Sequence, residues 1–182
     1  MLRLRVAVLL VVALAATGCG SGGSKGIHVD ESLTALGAQR RIHELMTDTL
    51  RGLPPGIELS KTPANPNLAT FDPYPVTPPC WEGNVQTEGP HYARVTYWVA
   101  GVPAGATREY FDRIAAVWRE RGWQPTDSDQ WSYTVKTPDG YGLRINDAGK
   151  GDGSLGMLGM SPCFPEAALE PIDPDPPRIT AG

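Results

Sequence analysis

Between Gln130 and Asn146 the chain keeps a period of two. Trp131, Tyr133 and Val135 alternate with Gln130, Ser132, Thr134 and Lys136; beyond the turn Thr137-Pro138-Asp139-Gly140, Tyr141, Leu143 and Ile145 alternate with Arg144 and Asn146. Aromatic and β-branched residues at this spacing, broken by Pro-Asp-Gly, make an antiparallel hairpin with one apolar face. An isolated hairpin is marginal in water, so the rest of the chain must supply more strands and a layer to cover that face.

Residues 92–99 supply one strand, with Ala93, Val95, Tyr97 and Val99 on one side and Tyr92, Arg94, Thr96 and Trp98 on the other. Ser154 to Ser161, behind the glycine-rich loop from Asp147 to Gly153, supplies another. The covering layer comes from two helical periods. In the first, from about Asp30 to Gly52, Ala38, Ile42, Leu45, Met46, Leu50 and Leu53 fall at helical spacing, with Asp30 or Ser32 as cap and Pro54-Pro55-Gly56 as stop. In the second, from about Ala106 to Arg121, Tyr110, Phe111, Ile114, Val117 and Trp118 share a face, and Gly122 stands where a left-handed cap is wanted. The expected fold is α+β: an antiparallel sheet of about four strands with two helices packed on one face.

The N-terminus belongs to a different regime. Arg3 and Arg5 precede about eleven apolar residues, Val6 to Ala16, and small residues then lead to Cys19. This is the layout of a secretory signal, and the run is about half the roughly 20 residues a membrane span requires. Leu14-Ala15-Ala16-Thr17-Gly18-Cys19 resembles the lipobox of bacterial lipoproteins, with Ala16 where leucine is usual. The resemblance implies cleavage before Cys19, lipid on its sulfur and acylation of its amino group. The chain would then sit on the extracytoplasmic face of the cell membrane, held by acyl chains worth about 0.8 kcal/mol per buried methylene.

The domains expected are therefore a signal peptide (1–18), a glycine-serine tether (19–29), one α+β domain (30–165) and a proline-rich disordered tail (166–182). Loss of two arginines with the signal takes the net charge from −4 to −6. That balance, without a basic cluster, disfavours nucleic acid as a partner. With Cys19 lipidated, Cys80 and Cys163 remain in an oxidising compartment and are expected to pair, the alternative being two buried free thiols. Residues 54–90 hold nine of the eighteen prolines and promise little regular structure.

The N-terminal helix, the cysteine before the first strand, Arg121-Gly122-Trp123, the hairpin Thr137-Pro138-Asp139-Gly140-Tyr141 and Ser161-Pro162-Cys163-Phe164 together resemble the small LppA-like lipoproteins of mycobacteria and their relatives, over most of residues 30 to 175. The resemblance implies a cell-envelope location and the disulfide. It carries no catalytic residues, because that family has no established activity.

Chemistry-bearing patterns are sparse. His28, His43 and His91 are scattered, and no Gly-x-Ser-x-Gly or Ser-x-x-Lys frame occurs. Gly149-Lys150-Gly151-Asp152-Gly153 lacks the frame of a phosphate loop or an EF-hand. No catalytic residue, metal site or cofactor is expected. The feature above background is aromatic: Tyr92, Trp98, Trp81 and Trp131 either belong to a second small core under residues 54–90 or line a groove on the sheet face the helices leave open. The reading is a non-enzymatic, lipid-anchored envelope protein that binds an envelope protein, lipid or glycan. The alternative is a carrier or sensor of a small apolar or glycolipid ligand in an aromatic-lined pocket.

Overall fold

A computed structural model describes residues 27–81, 87–147 and 154–182. Cys19, the signal, most of the tether and the glycine-rich loop at 148–153 lie outside the described residues.

The first helix, α1, runs Ala35–Arg51. Its N-cap is Thr34, whose hydroxyl accepts from the Gly37 amide at 3.1 Å. Asp30, a candidate cap in the sequence, instead accepts from the amide and hydroxyl of Ser32 one turn earlier. Ala38, Ile42, Leu45, Met46 and Leu50 are buried, the 3-4 spacing that puts them on one stripe. Strand β1, Glu58–Ser60, follows, and then the proline-rich segment leads to β2, Arg94–Ala100. Helix α2, Thr107–Glu120, buries Phe111, Ile114, Val117 and Trp118. It ends at Gly122, whose φ of +73° only glycine adopts without strain, with the Trp123 amide reaching back to the Trp118 carbonyl at 3.1 Å.

A meander then returns across the molecule: β3 Gln124–Ser128, β4 Ser132–Lys136, β5 Gly142–Asp147, β6 Leu155–Met160 and, at the C-terminal end, β7 Arg178–Ile179. The sheet is antiparallel in the order β3-β4-β5-β6-β2-β1-β7. Both helices lie on one face, as the patterning predicts, but among the described residues the sheet has seven strands instead of about four. The four legible in sequence are its centre, β4-β5-β6-β2. The three additions are edge or near-edge strands with weak patterns: β1 has three residues, β7 two, and β3 is exposed along its whole length and broken by a bulge after Pro125. Proline and a bulge on an outer strand block pairing with another chain.

Between helices and sheet the core is filled. Val95, Tyr97, Leu143, Ile145 and Met157 meet Ile42, Met46, Ile114 and Trp118, all buried. Trp118 Nε1 donates to Thr49 Oγ1 at 2.9 Å, tying α2 to α1, and its ring lies 6.3 Å from that of Tyr133. Gly159 sets the approach of α1: a Cβ there would stand 2.3 Å from Ile42 Cγ2, so only glycine lets the helix lie this close to β6.

Residues 166–182 correct the expectation of a disordered tail. Their composition cannot fold alone, yet the rest of the domain offers them partners. A 3-10 turn at Glu166–Ala168 follows Phe164, Ile179 is buried, and β7 pairs with β1 through Leu59–Ile179 and Ser60–Arg178. The anchor is Asp175, whose side chain is 0% exposed. Its Oδ1 accepts from Gln39 Nε2 and contacts His43 Nε2, both at 2.8 Å, and its Oδ2 accepts from Lys61 Nζ at 2.6 Å. Lys61 is itself 7% exposed, donates to the Thr96 carbonyl and lies over the Tyr97 ring at 4.3 Å. Burial pushes the Asp175 carboxyl up, but the hydrogen bonds from His43, Gln39 and Lys61 and the Lys61 charge outweigh it and hold the group below the usual carboxylate range.

Cys80 and Cys163 form a disulfide with a Cα–Cα separation of 6.3 Å. It joins the end of the proline-rich segment to the residue that bridges Val29 and so closes the domain at its N-terminal end. Closing a loop of this size stabilises by up to about 4.5 kcal/mol in the chain-entropy account.

Candidate functional site

Along β2 and β6 every second residue is buried against the helices, and the residues between are half-exposed on the opposite face. Strand register turns those outward positions into rows. Trp98 stands beside Gly156 and Asn146; Thr96 beside Leu158, Arg144 and Thr134; Arg94 beside Met160, Gly142 and Lys136. Neither helix covers this face.

Two properties distinguish it. The first is a groove of about 210 Å³ with Trp98 and Phe71 as aromatic wall, Gly156 as floor, and Thr96, Asn146 and Leu158 around it. Phe71 reaches over from the proline-rich segment and stacks on Trp98, ring centroids 4.8 Å apart and 20° from parallel, while Trp98 Nε1 donates to the Ala69 carbonyl at 3.0 Å. The indole is thereby fixed in orientation. A Cβ on Gly156 would meet nothing closer than 4.0 Å, so this glycine is not required by packing and its missing side chain opens the groove.

The second property is charge. The outward positions of β2, β4, β5 and β6 hold Arg94, Lys136 and Arg144 and no acid, in a chain whose net charge is −4. Arg144 Nε donates to Asn146 Oδ1 at 2.8 Å, while the Arg94 and Lys136 side chains have no hydrogen bond or ion pair among the described residues. Arg94 and Lys136 stand at the two ends of one row, three strand spacings or about 14 Å apart, with Gly142 and Met160 between them. Several carboxylates elsewhere are paired: Asp139 with Arg41, Asp112 with Arg108 and Glu109 with Arg113.

The four aromatics named from sequence do not share one groove. Trp98 lines the groove just described. Tyr92 lines a separate, open cleft of about 720 Å³ beside the disulfide, together with Met160, Pro162, Lys136 and two acids, Asp30 and Asp139. Trp81 is exposed and donates from Nε1 to the Glu88 carbonyl at 2.9 Å. Trp131 is exposed at the opposite end of the sheet, in the turn that Asp129 closes by accepting from the Trp131 and Ser132 amides. These alternations specify which face a residue takes and leave its distance from other aromatics open. Phe71, Leu158 and the outward glycine Gly156 complete the groove; the period-two pattern of 154–161 contains the latter two, but only the register of β6 against β2 puts them beside Trp98.

Among the described residues no group of three or more His, Cys, Asp or Glu is placed to hold a metal ion, and no helix is long and apolar enough to cross a membrane. The buried cluster of Asp175 with Lys61, His43 and the Gln39 amide lies on the helix side and uses both carboxylate oxygens to hold the C-terminal segment. No protein-family model, curated protein or solved structure matches this chain.

Proposed function

We propose that the chain is a non-enzymatic lipoprotein of the LppA-like kind, anchored through Cys19 to the extracytoplasmic face of the cell membrane, and that its open sheet face binds an anionic component of the envelope. The observation that carries the binding reading is the coincidence, on the sheet face that neither helix covers, of a preformed aromatic groove with three cations and no acid at the outward positions of the four central strands. Apolar recesses ringed by a few oriented polar groups are the usual form of a recognition site, and charge complementarity selects the partner's sign. The groove accepts one ring or one apolar side chain; Arg94 and Lys136, having no partner within the described protein, accept carboxylate or phosphate.

The second reading, a carrier of a small apolar or glycolipid ligand, rests on the same groove. Its volume, about 210 Å³, suits one ring better than an acyl chain, and the space between helices and sheet is occupied by the core. Partner binding is therefore preferred.

Photo-crosslinking in the intact envelope tests this. A benzoylphenylalanine at Leu158, in the groove, is expected to give one adduct of discrete mass that Arg94→Glu with Lys136→Glu abolishes. The same probe at Glu120, exposed on α2, is expected to give none. Equal adducts at both positions, or none at Leu158, would refute the assignment of the face.

A further inference from the structure

Four large apolar side chains are exposed among the described residues, and three fall within eight positions of the proline-rich segment: Tyr74 at 54%, Val76 at 49% and Trp81 at 38%. The segment is not loose there. Val76 exchanges backbone hydrogen bonds with Arg94, Pro79 bridges His91, and Cys80 donates to the Pro90 carbonyl and is bonded to Cys163. Holding three large apolar groups in water on a fixed backbone calls for an occupant.

The position of the chain's start identifies one. Val29 bridges Cys163, whose disulfide partner is the residue before Trp81; Trp81 therefore lies within about 15 Å of Val29. Eight residue steps separate Cys19 from Ile27, at most about 29 Å of chain. A domain of this size is about 40 Å across. An anchor at Cys19 thus holds Ile27 within about 29 Å of the lipid, less than the width of the domain, and brings the corner that carries Val76 and Trp81 within reach of it; Trp131 sits at the opposite end, about 17 Å along β4 from Lys136.

We propose that Tyr74, Val76 and Trp81 rest in the headgroup layer of the membrane to which Cys19 is anchored, so that the lipid surface is the occupant of this corner and fixes the orientation of the domain. This rests on the lipobox reading. Tryptophan and tyrosine favour the membrane interface because the ring is apolar and its N–H or O–H is polar. Here Trp81 Nε1 is already satisfied by the Glu88 carbonyl, which leaves the ring to meet lipid without an unpaired donor. Anchoring makes the contact intramolecular, so a patch too weak to bind vesicles from solution still docks. Three apolar groups give an attraction that salt does not screen, unlike a basic patch on anionic lipid. Arg94, paired with Val76 through the backbone, stands at this docked corner beside the headgroups, while the rows of Arg144 and Trp98 lie farther along the strands and stay open to a partner.

The test uses the full chain extracted from its own envelope in mild detergent and reconstituted into vesicles of phosphatidylethanolamine and phosphatidylglycerol, some brominated high on the acyl chain. Mass analysis of the N-terminal peptide first establishes whether Cys19 carries acyl groups. With acylation present, the brominated lipid is expected to quench a component of tryptophan emission that Trp81→Phe removes, Trp131→Phe retains and high salt leaves in place. Val76→Asp, a change at an exposed side chain, is expected to diminish it. Acylation without quenching, or quenching carried by Trp131, overturns the docking proposal and leaves the anchor standing. An unacylated Cys19 overturns both.

Discussion

Replacing Asp175 by Asn removes one negative charge and almost no volume from the centre of the C-terminal clamp. In the folded chain the Lys61 ammonium, 7% exposed, then keeps the Thr96 carbonyl at 3.0 Å and the Tyr97 ring at 4.3 Å but has no counter-charge, and the one oxygen of the amide cannot accept from both Lys61 and the Gln39–His43 side. Gln39 Nε2 and His43 Nε2 lose a charged acceptor at 2.8 Å. Removing one partner of a buried ion pair costs about 3–5 kcal/mol, because the charge left behind has neither water nor a counter-ion. Against a typical total of about 5–15 kcal/mol, that is a large share of the stability.

Urea titration of the oxidised chain, followed by tryptophan emission, reads the loss. The pH dependence adds a sign. Asp175 has a folded-state pKa below its ordinary value of 3.8. Its contribution is therefore complete above that value and is lost as pH falls through the folded pKa. Wild type and Asp175→Asn should differ most near neutrality and converge on acidification below about pH 4. The paired change Lys61→Met with Asp175→Leu should recover part of the loss, since well-packed apolar groups replace buried ion pairs at little cost. A loss under about 1 kcal/mol for Asp175→Asn, the scale of a surface pair, would refute the reasoning and return residues 166–182 to the status of a loose tail.

Two glycines on β6 separate fold from site. Gly159→Ala drives a Cβ to 2.3 Å from Ile42 Cγ2 and should destabilise by about 1–3 kcal/mol, read as a lower thermal midpoint. Gly156→Ala, with 4.0 Å of clearance, should leave the midpoint close to wild type and narrow the groove, read as a weaker Leu158 crosslink. Replacing Cys80 and Cys163 together by Ser should cost about 2–5 kcal/mol; mass mapping of unreduced wild type should recover the 80–163 crosslinked peptide, and two alkylatable thiols in the native chain would contradict the bridge.

The centre of the fold was legible because its signals are local. Residues 130–146 carry their own period and turn, and the two helices carry 3-4 stripes ended by Pro54-Pro55 and by Gly122. β1, β3 and β7 were not legible, for a common reason. Each is short or polar and takes strand geometry from a neighbour that reaches it through the tertiary fold, as Leu59 does for Ile179. The tail illustrates the failure best. Its composition signals disorder, while Asp175 becomes a structural residue only when Lys61, His43 and Gln39, more than a hundred positions away, converge on it. The candidate site was half legible: Trp98 and the open face follow from alternation, but the groove needs Phe71 from a segment without regular structure and the bare floor of Gly156 across the register.

Native mass spectrometry of the chain extracted from its own envelope in mild detergent tests the central claim most directly. The account predicts a chain shortened by the first 18 residues, carrying acyl mass on Cys19, and bearing a further non-covalent mass that is lost with Arg94→Glu and Lys136→Glu. An unprocessed, unacylated chain of 19.5 kDa with no added component would contradict it.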